Sequence, residues 1–171
     1  RVWRKKTIIS LLEEGADINA KDNSGNTALI MASKGNTCGG FYRETESVYK
    51  EIVESLLVKG ADVNAQTDYG ETALMVAIEQ GYGSPGHWEV IELLIASKNI
   101  NVNAQAKENG QTALMMIVKN PSINFKNEKS ENIRKKCVEL LLHKGADVNA
   151  KNKNSETALM LALDGYIYEE N

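Results

Sequence analysis

Apolar residues along this chain return in two alternating rhythms. Ile8, Ile9, Leu11 and Leu12 lie on one stripe of a helix predicted over residues 4 to 14, ended by Gly15. The same grammar returns at Val48, Ile52, Val53, Leu56 and Leu57, predicting a helix Val48–Lys59 stopped by Gly60. It returns again around Leu93–Leu94 (helix Trp88–Ala96) and Leu140–Leu142 (helix Ile133–Lys144, stopped by Gly145). After Ala96 the stop is Lys98–Asn99, where Asn is the residue that best tolerates the left-handed conformation after Gly. Between these long runs fall shorter ones, Ala28–Lys34, Ala73–Gln80, Ala113–Lys119 and Ala158–Asp164, each opened by a threonine suited to cap a helix. A helix of about two turns does not persist alone in water. The short helices must therefore lean on neighbours.

The polar links repeat as well. GADVNAQTDYGETALM at Gly60–Met75 is echoed by GADINAKDNSGNTALIM at Gly15–Met31 and by GADVNAKNKNSETALM at Gly145–Met160. A looser copy spans Asn99–Met115. Thr27, Thr72, Thr112 and Thr157 mark the period, 45, 40 and 45 residues apart. Such recurrence is the signature of a stacked repeat array. The links read as protruding hairpins with Gly25, Gly70 and Gly110 at their tips and Asn or Asp side chains bonding nearby amides. Residues 35 to 47, 81 to 86 and 120 to 132 depart from the pattern as excursions between the short and long helices.

The runs G-x-T-A-L at Gly25–Leu29, Gly70–Leu74 and Gly110–Leu114, the GADVN blocks, and Gly86–Leu94 (GHWEVIELL) together resemble the ankyrin repeat. The resemblance covers nearly the whole chain. It implies an all-α repeat solenoid: an ankyrin stack of helix–loop–helix units joined by protruding β-hairpin-like loops. The expected division is one domain, 1–171, with a half repeat 1–21, full repeats 22–66, 67–105 and 106–151, and a partial repeat 152–171. Departures from the family wording are systematic. Ala28, Ala73, Ala113 and Ala158 stand where the family has Pro, and Ile30, Met75, Met115 and Met160 where it has His. Ser155 replaces the tip Gly in the last unit. Against a family period of about 33 residues, the first and third excursions hold about twelve extra residues and the second about five. These insertions and the T-A-L-M wording look like bacterial members of the family.

Composition narrows the function. A net charge of −3 and a pI near 5.5 argue against a phosphate-binding surface. No apolar run approaches the about 18 residues of a membrane span. The basic-then-apolar start, RVWRKKTIISLLEEG, imitates a secretion signal but lacks a small-residue cleavage site and runs straight into the first repeat, so it reads as a helix. Cys38 and Cys137 lie in unlike positions, which predicts no disulfide and favours a reducing, cytoplasmic setting, with export left open. The chain lacks an initial Met, opens on a long helix without its short partner and closes on a short one without its long partner, the pattern expected of a portion of something longer.

Repeats spread residues along a line, whereas catalysis needs acid, base and nucleophile to converge. His87 fits a structural place at the start of a long helix, and His143 a last-turn place that complements the helix dipole. Two unlinked cysteines predict no zinc site. Asp22–Asn26 resembles a calcium loop but lacks the closing Glu. Met31, Met75, Met115, Met116 and Met160 read as core. Lys126–Lys136 reads as a solvated loop running into a helix, and Phe41 and Tyr42 as residues folding the first excursion back on the stack.

The tips differ from unit to unit: Asn23, Ser24 and Asn26; Asp68, Tyr69 and Glu71; Glu108, Asn109 and Gln111; Lys153, Asn154 and Glu156. They are polar and mixed in sign beside a repeated framework, and Tyr69 is an aromatic with little local core to serve. The expectation is a non-catalytic scaffold or adaptor, without cofactor or metal, binding an unidentified protein through these tips and the concave short-helix face. No nucleic acid is expected, and the chain is expected to be a monomer in isolation. Two alternatives come from other classes: a targeting or regulatory fragment of a larger enzyme, and a module that self-associates through unpaired ends. For the latter, Leu159, Leu161 and Leu163 would be open, with Tyr166, Ile167 and Tyr168 as a makeshift cap.

Overall fold

The computed structural model describes residues 2–35, 46–80, 85–119 and 128–167. Among them run eight helices: α1 Val2–Glu13, α2 Ala28–Lys34, α3 Glu46–Val58, α4 Ala73–Gln80, α5 Pro85–Ala96, α6 Ala113–Lys119, α7 Glu128–His143 and α8 Ala158–Ile167. The short helices α2, α4, α6 and α8 pack in sequence as one layer, and the long helices α1, α3, α5 and α7 as a second. Each short helix also packs on the long helix that follows it, α2 on α3, α4 on α5 and α6 on α7. This is an all-α repeat solenoid. Among the described residues the extended backbone amounts to one isolated antiparallel bridge, Gln66 with Thr72.

The threonine caps form as the sequence predicts. Oγ1 of Thr27, Thr72, Thr112 and Thr157 accepts the backbone N–H three residues on, at Ile30, Met75, Met115 and Met160. The glycine stops form too, with φ of +92°, +92° and +85° at Gly15, Gly60 and Gly145, and Asn99 takes the same conformation at +66°.

Five helices differ from their predicted bounds. α1 and α3 each start two residues early. α5 begins at Pro85 rather than Trp88, because proline's fixed φ suits the first helical position. α7 begins at Glu128 rather than Ile133, since the polar run EKSEN contains no Gly or Pro to break it. α8 continues past Asp164 to Ile167. The excursions are thereby shortened, and their cores, 36–45, 81–84 and 120–127, lie outside the described residues, as do Cys38, Phe41 and Tyr42. The side chains of His87, Tyr166, Ile167 and Tyr168 lie outside them as well.

The core runs the length of the stack. Leu29, Leu74 and Leu114 are buried on the short helices, and Leu56, Ile95 and Leu141 on the long ones. Ile30, Met75 and Met115, at the positions where the family has His, are buried as apolar residues should be. At about 1.5–3 kcal/mol per fully buried side chain, these layers supply the main cohesion. Met31 and Met160 are exceptions to the expected methionine core: both are exposed, because one sits on the first short helix and the other on the last, each facing away from the stack.

Two ladders join one unit to the next. In the first, Asn19, Asn64 and Asn103 reach across: their Oδ1 atoms accept from the N–H of Asp62, Asn101 and Asp147 at 2.8, 2.7 and 2.8 Å. Asn64 and Asn103 also donate through Nδ2 to the carbonyls of Asn99 and Gly145. In the second, backbone bonds the tips: Asp68 N–H donates to Ser24 O (3.0 Å), Lys107 N–H to Tyr69 O (2.7 Å) and Lys153 N–H to Asn109 O (2.9 Å). These rungs bring the next tip so close that a Cβ at Gly25, Gly70 or Gly110 would lie 2.7–2.9 Å from the backbone nitrogen of Asp68, Lys107 or Lys153.

Two predictions follow from the ladders. Gly60→Ala meets nothing within 4 Å, so it costs only the left-handed strain of about 1 kcal/mol. Gly70→Ala adds the clash with Lys107 and costs at least about 2 kcal/mol; urea unfolding of the two variants side by side measures the difference. Asn64→Ala removes both of its cross-unit bonds at about 1 kcal/mol each. It also uncouples the units on either side, so its unfolding transition should broaden as well as shift.

Candidate functional site

Each tip is a small loop closed on itself. Backbone N–H to O bonds join Asp22 to Asn26, Thr67 to Glu71, Ala106 to Gln111 and Asn152 to Glu156 at 2.9–3.0 Å. The third loop is one residue longer. The opening side chain then ties the loop down: Asp22 Oδ1 accepts from the amides of Ser24 and Asn26, Thr67 Oγ1 from that of Glu71, and Asn152 Oδ1 from those of Asn154 and Glu156. Bonds from the Asn26 side chain, then from the backbones of Asn26 and Ser24, hold the Asp22 carboxyl below its ordinary pKa of 3.8. Its oxygens serve the turn. Among the described residues no group of three or more His, Cys, Asp or Glu is gathered to hold a metal ion.

This geometry separates the twelve sequence-predicted tip residues. Asn26, Gln111 and Glu156 face inward to the loops. Asn26 Nδ2 donates to both oxygens of Asp22, Glu156 Oε2 accepts from Asn152 and Asn154, and Gln111 is buried beside Asn109. Gln111, expected among the partner-binding tip residues, is buried, the longer third loop folding it under its own turn. Asn109 and Asn154 are exposed yet occupied, Asn109 Oδ1 accepting the Gln111 amide at 2.8 Å. Asn23, Ser24, Asp68, Tyr69, Glu108 and Lys153 are exposed at the crests of the loops. Tyr69 is 62 % exposed although it is aromatic. The rungs at Ser24, Asp68, Tyr69, Asn109 and Lys153 use backbone atoms alone, so the crest side chains are held in line without being used.

Glu71, half-buried at the base of the second tip, adds charge to this row. Burial raises its pKa from the ordinary 4.5, and the neighbouring Glu79 and Glu108 raise it further, while Lys34 lowers it. Glu79 of the same unit and Glu108 of the next thus both act on Glu71, two residues after Tyr69. Elsewhere, charge is spent on structure. Lys50 pairs with Glu89, and Lys136 with Glu92, each at 2.8 Å between long helices. Lys136, the last residue of the basic run 126–136, lies within α7. Cys137 is buried and its thiol is pushed up to about 12, chiefly by burial, which leaves it unreactive.

An array of paired helices with side chains aligned along one edge is a helical repeat solenoid. Residues 45–152 match the family model for ankyrin repeats, in three copies, and the chain belongs to the ankyrin-repeat family. Ankyrin repeats are generally protein–protein interaction modules, typically non-catalytic. No curated protein matches the chain. No helix among the described residues is long and apolar enough to cross a membrane.

The raised pKa of Glu71 has a testable sign. The folded state holds the proton more tightly than the unfolded one, so this group's stabilising contribution is complete below 4.5 and is lost as pH rises through its higher folded value. Glu71→Gln removes that loss. In thermal unfolding over a pH series, the melting temperature of the variant relative to the parent should climb as pH rises through this window and stay positive at neutral pH.

Proposed function

We propose that this chain is a non-catalytic scaffold that holds a partner protein against its row of tips and the adjoining sides of the short helices. The observation that carries the reading is the division of labour at the crests. Backbone rungs fix the spacing of the tips, while the side chains of Asn23, Ser24, Asp68, Tyr69, Glu108 and Lys153 make no hydrogen bond or ion pair among the described residues. Exposed Tyr69 is the natural anchor, since tyrosine dominates binding where it is packed and dried by a partner. The carboxylates of Glu71 and of Glu79 and Glu108, which act on it, favour a partner surface that offers cationic or amide donors around an apolar cleft for the ring.

Affinity capture with the intact chain identifies the partner, and titration with the Asp68→Ala, Tyr69→Ala double variant then tests the surface. Binding should weaken by tenfold or more, about 1.4 kcal/mol or above, with thermal unfolding unchanged. Equal loss of binding and stability, or no loss of binding, refutes this assignment.

A further inference from the structure

We propose that Asn109 is a site of spontaneous deamidation in the folded molecule, timed by the opening of one hydrogen bond in the third tip. Asn109 is exposed, and Asn109–Gly110 is the sole Asn-Gly pair of the chain. Asparagine is a thermolabile residue. Its side-chain carbon is attacked by the backbone nitrogen of the residue that follows, and a following glycine, lacking a Cβ, puts nothing in the way.

The third tip adds geometry to the pair. Asn109 Oδ1 accepts the Gln111 N–H at 2.8 Å, and the ring closed by this bond contains both the Asn109 Cγ and the Gly110 nitrogen. When that nitrogen adds to Cγ, negative charge develops on Oδ1, where the Gln111 amide already stands as a donor. Other asparagines hold one part of this arrangement and lack the rest. Asn101 and Asn152 accept the amides of Asn103 and Asn154 in the same way, but the bulkier Val102 and Lys153 follow them, and Asn152 is buried. Asn23 and Asn154 precede serines, and their side-chain carbonyls accept no amide among the described residues.

One bond holds the reaction back. The Gly110 N–H donates to Ala106 O at 2.8 Å. In the other tips the equivalent amide closes a tighter turn, Gly25 to Asp22, Gly70 to Thr67 and Ser155 to Asn152. The extra residue of the third loop makes this one an isolated α-turn, exposed at the edge, which opens with the stack intact. The freed Gly110 nitrogen then gives its proton to hydroxide and bonds to Cγ. The Cγ–Nδ2 bond breaks, and Nδ2 takes up a proton from water and leaves as ammonia, so that a cyclic imide remains. Water opens the imide. Addition at Cγ gives aspartate, and addition at the main-chain carbonyl gives isoaspartate, with the chain running through Cβ and Cγ.

The two products act differently on the tips. The main-chain carbonyl of Asn109 is the one that accepts the Lys153 N–H at 2.9 Å. Aspartate keeps that rung and sets a new carboxylate beside Glu108. Isoaspartate converts the same carbonyl into a carboxylate off the chain and lengthens the main-chain path by one carbon, which takes the rung out of register. The chemistry needs no partner, so it stands or falls independently of the surface proposed above.

The test is incubation of the intact chain at mildly alkaline pH in heavy-oxygen water, followed by tryptic mapping. The peptide Glu108–Lys119, whose sole asparagine is Asn109, should take up the label as paired aspartate and isoaspartate forms. Its rate should follow hydroxide and exceed that at Asn23 and Asn154 several-fold. It should also stay flat across sub-denaturing urea, because a local opening exposes little surface. Three results overturn the proposal: no label in the folded chain while the urea-unfolded chain converts, a rate that climbs with urea in step with global unfolding, or equal conversion at Asn23 and Asn154.

Discussion

No unit of this chain holds a core of its own; the interface between units is the core. α4 shows the constraint at its sharpest. Every residue from Ala73 to Ile78 is buried, on all sides of a helix of eight residues. Such a helix has no polar face to spare and no independent stability. It exists because α2, α5 and α6 surround it. Everything else in the structure serves that mutual support: threonine caps that start the short helices, left-handed stops that turn the chain after the long ones, and asparagines that tie each turn to its neighbour.

The repeat grammar made most of this legible in the sequence. The four short helices begin where Thr27, Thr72, Thr112 and Thr157 place them, and the left-handed stops at Gly15, Gly60, Asn99 and Gly145 adopt the backbone that only such residues tolerate. What the sequence concealed belongs to position in the stack. Met160 and Met75 occupy the same position of the motif, yet one is exposed and the other buried, because α4 is flanked by described helices on both sides and α8 on one. Leu159 reads like Leu74 and differs for the same reason. The early starts of α5 and α7 lie outside the apolar rhythm, since Pro85 and Gly86 carry no stripe and EKSEN is too polar to show one.

The candidate surface was half legible. Variable, polar tips beside a repeated framework single out the loops. Their division into crest and base did not follow from composition, since Asn26, Gln111 and Glu156 look as available as Asn23, Glu108 and Lys153. Hydrogen bonding separates them. A residue four or five places after the loop opens closes it, and its side chain is drawn into the same turn. The pattern that could have disclosed this was the spacing from Asp22, Thr67, Ala106 and Asn152, not the chemistry of the residues themselves.

The rungs that align the tips run through main-chain atoms, and that has a consequence for how this molecule can change. Side chains at the crests can be exchanged wholesale without loosening the scaffold, as type is reset in a fixed frame. Diversifying Asn23, Ser24, Asp68, Tyr69, Glu108 and Lys153 together would thus yield a family of binders sharing one skeleton. The glycines beneath them are the part that admits no variation.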